Sequence, residues 1–215
     1  AAINPESTTF QRSEAWTLLT SKGSVPWRQQ WVPYGRISDH LKRAVIASED
    51  DGFVNHEGVD WAAIEKAWER NAKAEAQIAK AQSRAPDRPV RAPKIRGGST
   101  ITQQLAKNLL LSGERTMLRK GQELLLTQYL EHLLGKRRIL EIYLNNVEWG
   151  EGIFGAQAAA QHYFRKPAAQ LTALEAARLA VMLPRPKYHE QYPNSGYLAS
   201  RSRTIAARMR GVEIP

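Results

Sequence analysis

The sequence has 215 residues, enough for one domain with a substantial core, since 42% of the residues are apolar. It contains no cysteine, which excludes disulfides, thiol catalysis and cysteine-ligated metals. Lys and Arg outnumber Asp and Glu by 31 to 21, so the net charge is +10 and the pI is about 10.0. Such a balance favours a polyanionic partner: nucleic acid, an anionic membrane surface or a phosphate-bearing substrate. No apolar run reaches the roughly 18 residues of a membrane-spanning helix.

The first half of the chain predicts three helices. Residues 1–37 form an N-terminal approach segment with a short helix over 13–19. From Ser38, apolar residues recur at helical spacing, with Asp39 as the expected N-cap and Glu49 and Asp50 at the C-terminal end. Acids at that end oppose the helix macrodipole, which mildly indicates a function. A third helix is predicted over 61–82.

Residues 61–96 are expected to form a basic, mobile insertion. Positions 62–96 hold nine Lys and Arg against four Asp and Glu, and prolines punctuate the end of the segment. Two interpretations are equally open: a solvated tract, or a flap on the membrane or substrate side.

The second half predicts helices almost throughout. Ser99 or Thr100 is expected to cap a helix that extends to about residue 111 and is ended by Gly113. Further helices are predicted over 116–134, 136–146, 152–162, 171–182 and 197–210. Residues 150–155 match a loose dinucleotide-binding pattern, but they follow a helix, so we interpret them as a tight turn. With few strand signals, the predicted fold class is all-α.

The first polar segment begins at Glu49-Asp50 and includes Phe53 and His56. A carboxylate beside an apolar ring can have a raised pKa and act as general acid or base. A solvated acidic turn is the alternative, and the segment by itself slightly favours it. His56-Glu57 is not a metalloprotease motif, because Asp60 stands where the second His is required.

A second segment lies on the helix that follows Gly97-Gly98. Thr100, Gln103, Gln104 and Lys107 share one face, beside an apolar stripe. Free amides at the helix start, together with Lys107, could hold phosphate or sugar hydroxyls. A plain capped surface helix is the alternative interpretation.

The third segment is Arg119-Lys120-Gly121-Gln122-Glu123. An ordinary salt bridge between Arg119 and Glu123, four residues apart, explains it best. Alternatively, the two cations grip a pyrophosphate while Glu123 positions a cation or a hydroxyl.

These segments gain specificity from their order. They are followed by Arg137-Arg138-Ile139-Leu140-Glu141-Ile142-Tyr143-Leu144-Asn145 and by Arg178-Leu179-Ala180 with Leu183-Pro184. The series resembles the five-motif signature of the peptidoglycan glycosyltransferases (glycosyltransferase family 51), over about residues 38–210. The absence of Ser-x-x-Lys makes it similar to the monofunctional biosynthetic branch of Gram-negative bacteria rather than to bifunctional penicillin-binding relatives.

The resemblance implies an all-α, lysozyme-like large lobe with a smaller membrane-facing lobe, spanning residues 38–215. It also implies an N-terminal anchor in the inner membrane and a periplasmic catalytic domain. The expected reaction joins lipid II to a lipid-linked glycan chain through a β-1,4 bond, with inversion and release of polyprenyl pyrophosphate. A lysozyme-like lytic enzyme is the main alternative, and a basic nucleic-acid-binding module is a weaker one.

The resemblance also implies the site. Glu49 is expected to be the general base and Glu123 a second catalytic carboxylate or a metal ligand. Substrate contacts are expected from Asp50, Phe53, His56, Ser99, Thr100, Gln103, Gln104, Lys107, Asn108, Arg119, Lys120, Asn145 and Arg185, with Lys187 as the alternative to Arg185. No cofactor is required, although Mg²⁺ or Mn²⁺ is compatible. Expected partners are the membrane surface and the cell-division or elongation proteins, and nucleic acid is not among them.

Overall fold

The computed structural model describes residues 4–84, 98–111 and 117–215, and within these ranges it contains ten α-helices and three short strands. The helices are α1 (Thr9–Lys22), α2 (Asp39–Glu49), α3 (Trp61–Arg84), α4 (Ile101–Leu110), α5 (Met117–Leu133), α6 (Lys136–Asn146), α7 (Ala156–Phe164), α8 (Ala173–Met182), α9 (Pro186–Gln191) and α10 (Gly196–Arg208). The strands are β1 (Arg28–Gln29), β2 (Glu148–Gly150) and β3 (Ile153–Phe154). The predicted all-α class is confirmed.

Side-chain caps set where the helices begin. The hydroxyl of Ser38 accepts from the His40 amide at 3.2 Å, so Ser38 caps α2 and the predicted cap, Asp39, is wrong by one residue. Asp39 instead opens the helix and pairs with Lys42. Of the two caps expected for α4, Thr100 is the one used, because its side chain and that of Gln103 form a reciprocal capping box.

The core lies where α2 packs between α8 and α10, with α4 and α6 beside it. Leu41, Val45 and Ile46 of α2 are fully buried, as is Leu179 of α8. Each such side chain contributes about 1.5–3 kcal/mol on burial. This packing holds the carboxyl end of α2, and therefore Glu49, in a fixed place.

Helices α3 and α5 bury far less of their surface than the core helices. Trp61 and Trp68 of α3 are 69% and 75% exposed, and Leu118, Leu125 and Tyr129 of α5 are each more than 60% exposed. The molecule thus has a large, well-packed lobe and a smaller, more open part. None of the described helices is long and apolar enough to cross a membrane.

The approach segment predicted over 1–37 is integrated into this domain. Helix α1 is longer than the predicted 13–19, and the Gln11 side chain donates to the Asn146 carbonyl at 3.2 Å. Strand β1 pairs in parallel with β3, while Val32 and Tyr34 lie in the core. Buried polar and apolar contacts together explain why this segment folds onto the rest.

The segment predicted as a tight turn is a hairpin of β2 and β3. Its turn contains Gly152 at φ 69°, where a Cβ would lie only 1.6 Å from the Pro26 carbonyl oxygen. Helix α7 therefore begins at Ala156 rather than at residue 152. The short helix α9 is not among the predicted helices; it begins at Pro186, and proline fits the first turn of a helix.

The basic insertion is only partly described. Helix α3 confirms the predicted helix over 61–82 and continues to Arg84. The rest of the insertion, together with Gly97 and Gly113, lies outside the described residues.

Candidate active site

A cleft of about 190 Å³ opens between the carboxyl end of α2, the first turns of α3 and the start of α4. Its walls are formed by Glu49, Asp50, Asp51, Gly52, Asp60, Ala63, Ala67, Arg70, Gly98, Ser99 and Thr100. Residues from the first two polar segments of the sequence, which are about 50 positions apart, thus line one cavity. Four carboxylates face a single cation, Arg70, among the lining residues.

Glu49 has the most distinctive environment in this cleft. One carboxylate oxygen accepts from the Gln104 side-chain amide at 3.1 Å, and the other accepts from the Ser48 hydroxyl at 3.3 Å. Burial raises the pKa of Glu49 above its ordinary value, and the charge of Asp50 adds to the rise, while the two hydrogen bonds oppose it. A carboxylate held this way is a stronger base than an exposed one.

The Gln104 side chain is itself oriented by a second hydrogen bond. Its amide oxygen accepts from the Tyr143 hydroxyl at 2.9 Å, so the Gln104 nitrogen must point to Glu49. Burial raises the pKa of Tyr143 well above 10, with contributions from the charges of Glu49 and Asp50, so its hydroxyl remains a donor. Tyr143, Gln104 and Glu49 form a hydrogen-bonded chain that ends on the carboxylate.

Asp50 joins the two polar segments rather than facing the cleft freely. One of its oxygens accepts from the Ile101 amide at 2.9 Å, and the other from His56 Nε2, also at 2.9 Å. The Gly58 amide donates to His56 Nδ1, so the imidazole proton is on Nε2. The Gly58 carbonyl in turn accepts from Thr100. His56 and Asp50 therefore position the start of α4 against the end of α2.

Contacts from α5 and α6 further stabilise the start of α4 and the turn after α2. Glu131 of α5 accepts from the Thr102 hydroxyl at 2.6 Å and pairs with Lys136 at 2.7 Å. The Lys136 ammonium also lies 4.6 Å from the centre of the fully buried Phe53 ring. Phe53, expected to contact substrate, is instead part of the core beneath the cleft.

The polar residues predicted to share one face of α4 fall into a buried group and an accessible group. Thr100 and Gln103 are buried and satisfy each other's cap, and the Ile101 and Gln103 amides are already bonded to Asp50 and Thr100. These two amides are therefore not available to phosphate or sugar hydroxyls. Only the exposed Ser99, the half-buried Gln104 and Asn108 and the exposed Lys107 remain accessible on this segment.

Helix α5 packs against α4 and places Arg119 half-buried and Lys120 exposed on the neighbouring helix. The ion pair at Glu123 is with Lys120, three residues away, and not the predicted one with Arg119. Within the described ranges no group of three His, Cys, Asp or Glu side chains is arranged to hold a metal. Because a lysine ammonium already binds its carboxylate, Glu123 does not fit a cation ligand.

Two other expected contacts lie elsewhere. Asn145 is fully buried, and its side chain bonds the backbone of Val32 on both sides, at 2.9 and 3.0 Å, which indicates a structural role. Lys187 is engaged by Glu14 and Glu148. Arg185 is exposed and stacks 4.6 Å from the Tyr188 ring, beside a separate hollow of about 220 Å³, so it is the more available of the two cations.

The sequence did not single out Arg70 or Tyr143 as site residues. Tyr143 sat within a recognised motif, but nothing local indicated that its hydroxyl reaches Gln104. Arg70 lies on α3, whose charges looked like those of any solvated helix. The structure nevertheless places this residue with Glu49 and Asp60 in the wall of one cleft.

Comparisons with known proteins show the family of this chain. A family model described as "Transglycosylase" matches residues 17–210. The chain is 53% identical over 213 residues to a biosynthetic peptidoglycan transglycosylase of Paraburkholderia xenovorans, covering 99% of this chain and 82% of that protein. It is 52% identical to proteins of the same name from Burkholderia thailandensis, covering 100% and 77%, and Bordetella pertussis, covering 99% and 82%.

Proposed function

Because the chain belongs to the transglycosylase family, we propose that it is a peptidoglycan glycosyltransferase that polymerises lipid II. The observation that carries the proposal is the buried Glu49 carboxylate, which lines the cleft and is oriented by Gln104. The relatives' shared name, which specifies biosynthesis, favours a synthase over a lytic enzyme.

In the proposed reaction, the GlcNAc 4-hydroxyl of lipid II attacks the anomeric carbon of the MurNAc at the end of the lipid-linked chain. The hydroxyl proton passes to Glu49 as the new carbon–oxygen bond forms. The bond between that carbon and the pyrophosphate oxygen breaks, and polyprenyl pyrophosphate leaves with the electron pair. Attack opposite the leaving group inverts an α-linked donor to a β-1,4 product.

The leaving pyrophosphate needs positive charge on the side away from the base. Lys107 on α4 and Arg119 and Lys120 on α5 are the cations that the family resemblance assigns to this task, with Arg185 as a further one. Arg70 is added by the structure, since it lines the same cleft as Glu49. We derive no step through a divalent cation, because Glu123 is bound by Lys120.

The proposed place of action is the periplasmic face of the inner membrane. Leu118, Leu125 and Tyr129 follow one another at i, i+7 and i+11 and so form one exposed apolar stripe on α5. The exposed Trp61 and Trp68 on α3 and the excess of basic residues suit an interface with anionic lipid. Such a surface would bring the cleft to a lipid-linked substrate.

The test is polymerisation of labelled lipid II by Glu49→Gln. General-base catalysis contributes about 10²–10⁴-fold, so the variant should lose at least that much activity while its circular dichroism stays unchanged. Glu57→Gln, the same change at an exposed carboxylate, is the matched control and should remain active. Near-normal polymerisation by Glu49→Gln would remove Glu49 as the base. Clearing of purified cell wall in a zymogram would identify a lytic enzyme instead.

A further inference from the structure

A second concave site lies on a different side of the large lobe, between α2, α8 and α10. It is a pocket of about 490 Å³ lined by His40, Arg43, Ala173, Leu174, Arg203, Ala206, Ala207, Met209 and Arg210. It shares no lining residue with the cleft at Glu49. His40 and Glu49 are nine residues apart on α2, about two and a half turns, which places them on opposite sides of that helix.

The charge of this pocket is strongly positive. Three guanidinium groups, those of Arg43, Arg203 and Arg210, come from three separate elements, and no carboxylate is among the lining residues. Asp39 borders the adjoining hollow and is paired with Lys42 at 2.7 Å. That hydrogen bond, with help from the charges of Lys42, Arg43 and His40, lowers the pKa of Asp39.

Arg43 supplies a second, independent observation. Its Nε is buried, and no described residue accepts a hydrogen bond from it. An unsatisfied buried donor of this kind costs about 1–3 kcal/mol, so a protein that keeps one needs a reason for it. Arg43 borders both the pocket and the adjoining hollow, so a turn of its side chain would present this N–H to an anion entering there.

Apart from His40, the rest of the lining is apolar. Met209 and Ala206 form the inner part, and Leu174 is 54% exposed at the edge. A volume of about 490 Å³ lies within the range of small-molecule sites, which is roughly 300–1,000 Å³. Guanidinium groups match phosphate in geometry as well as in charge.

We propose that the pocket formed by Arg43, Arg203 and Arg210 is an anion-binding site for a phosphate group, separate from the catalytic cleft. The phosphate lies among the three guanidinium groups and accepts from the Arg43 Nε–H once that side chain turns into the pocket. The apolar lining receives the carbon skeleton attached to it. The source of the phosphate is either a phospholipid headgroup or a small soluble phosphate, and the two differ in how much they gain from that lining.

The test is a titration of the intact protein, followed by NMR of the arginine Nε–H signals and by calorimetry. Inorganic phosphate and monomeric short-chain phosphatidylglycerol are the two probes, with sodium chloride at matched ionic strength as the blank. We expect both probes to shift the Arg43 Nε–H signal. If the amphiphile binds about tenfold or more tightly than phosphate, the source is a lipid headgroup; equal affinities support a soluble phosphate.

Two double variants of equal charge make the result specific. Arg203→Gln with Arg210→Gln should weaken binding about tenfold or more, because it removes two charge-assisted contacts. Arg12→Gln with Arg201→Gln removes the same charge outside the pocket and should leave binding unchanged. Equal weakening in both pairs, or an Arg43 signal that does not move, would overturn the proposal. Polymerisation of lipid II reports on Glu49 alone, so failure of the two proposals can be told apart.

Discussion

The hydrogen bond from Gln104 to Glu49 predicts a shift in the pH dependence of activity. The Gln104 amide donates to the carboxylate at 3.1 Å and favours its ionised form, against the burial that raises the pKa of Glu49. A hydrogen bond to a charged group contributes about 1.5–3 kcal/mol. Gln104→Leu, which keeps the bulk of the side chain without the amide, should therefore raise the pKa of Glu49 further.

The sign of the expected change follows from the role of the base. Glu49 accepts a proton only when ionised, so activity is present above its pKa and is lost as the pH falls through it. The acidic limb of kcat/KM against pH, measured with lipid II, should move to higher pH. An acidic limb that stays in place, or that moves to lower pH, would refute the assignment of Gln104 as the group that holds Glu49 ionised.

A second substitution separates this electrostatic effect from damage to the fold. Gln104→Leu leaves the buried Tyr143 hydroxyl without its acceptor, which costs about 1–3 kcal/mol of stability. Adding Tyr143→Phe removes both partners and should restore most of that loss in urea denaturation. The shifted pH limb should remain in the double variant, because Glu49 still lacks its donor.

Three other predictions concern stability, each measured by urea denaturation. Burial raises the pKa of Glu148 to about 7, so unfolding releases a proton between about pH 4.5 and 7 and stability falls as the pH rises. Glu148→Gln should remove this dependence of stability on pH, which amounts to at most about 3 kcal/mol over the range. An unchanged dependence would contradict the prediction. Gly58→Ala should cost more than about 1 kcal/mol, since φ is +85° and its Cβ would lie 2.6 Å from Thr127. Asp50→Asn should cost about 2–3 kcal/mol through its weakened bond to the Ile101 amide, and no loss would exclude that bond.

The helices were predictable because each carries its own signals. The apolar spacing of α2 and the turn chemistry before α4 are local, and the structure confirms both elements to within a few residues. The hairpin of β2 and β3 and its pairing with β1 were not predictable. Strands of two or three residues have no readable alternation, and the β1 partner is more than 100 positions away.

The site shows the same division. The order of the motifs predicts that Glu49 and Gln104 belong to one site, and the hydrogen bond between them agrees with that prediction. Sequence spacing could not tell an accessible polar side chain from an internal one. Asn145 and Gln103 look like substrate contacts in the motif, yet the side-chain amides of both are hydrogen-bonded to the backbone. The number of hydrogen bonds a buried group already makes is a property of the packed chain.

The buried polar groups also explain why the motif positions are spread over three helices. Glu49 can be a strong base only if it is buried, and burial of a carboxylate is costly unless donors reach it. Gln104 supplies one donor, but a flexible amide can equally turn its oxygen towards the acid. The Tyr143 hydroxyl on α6 excludes that orientation, while Asp50 fixes the helix that carries Gln104. The polar bonds that join α2, α4 and α6 are therefore the same ones that prepare the base for its proton.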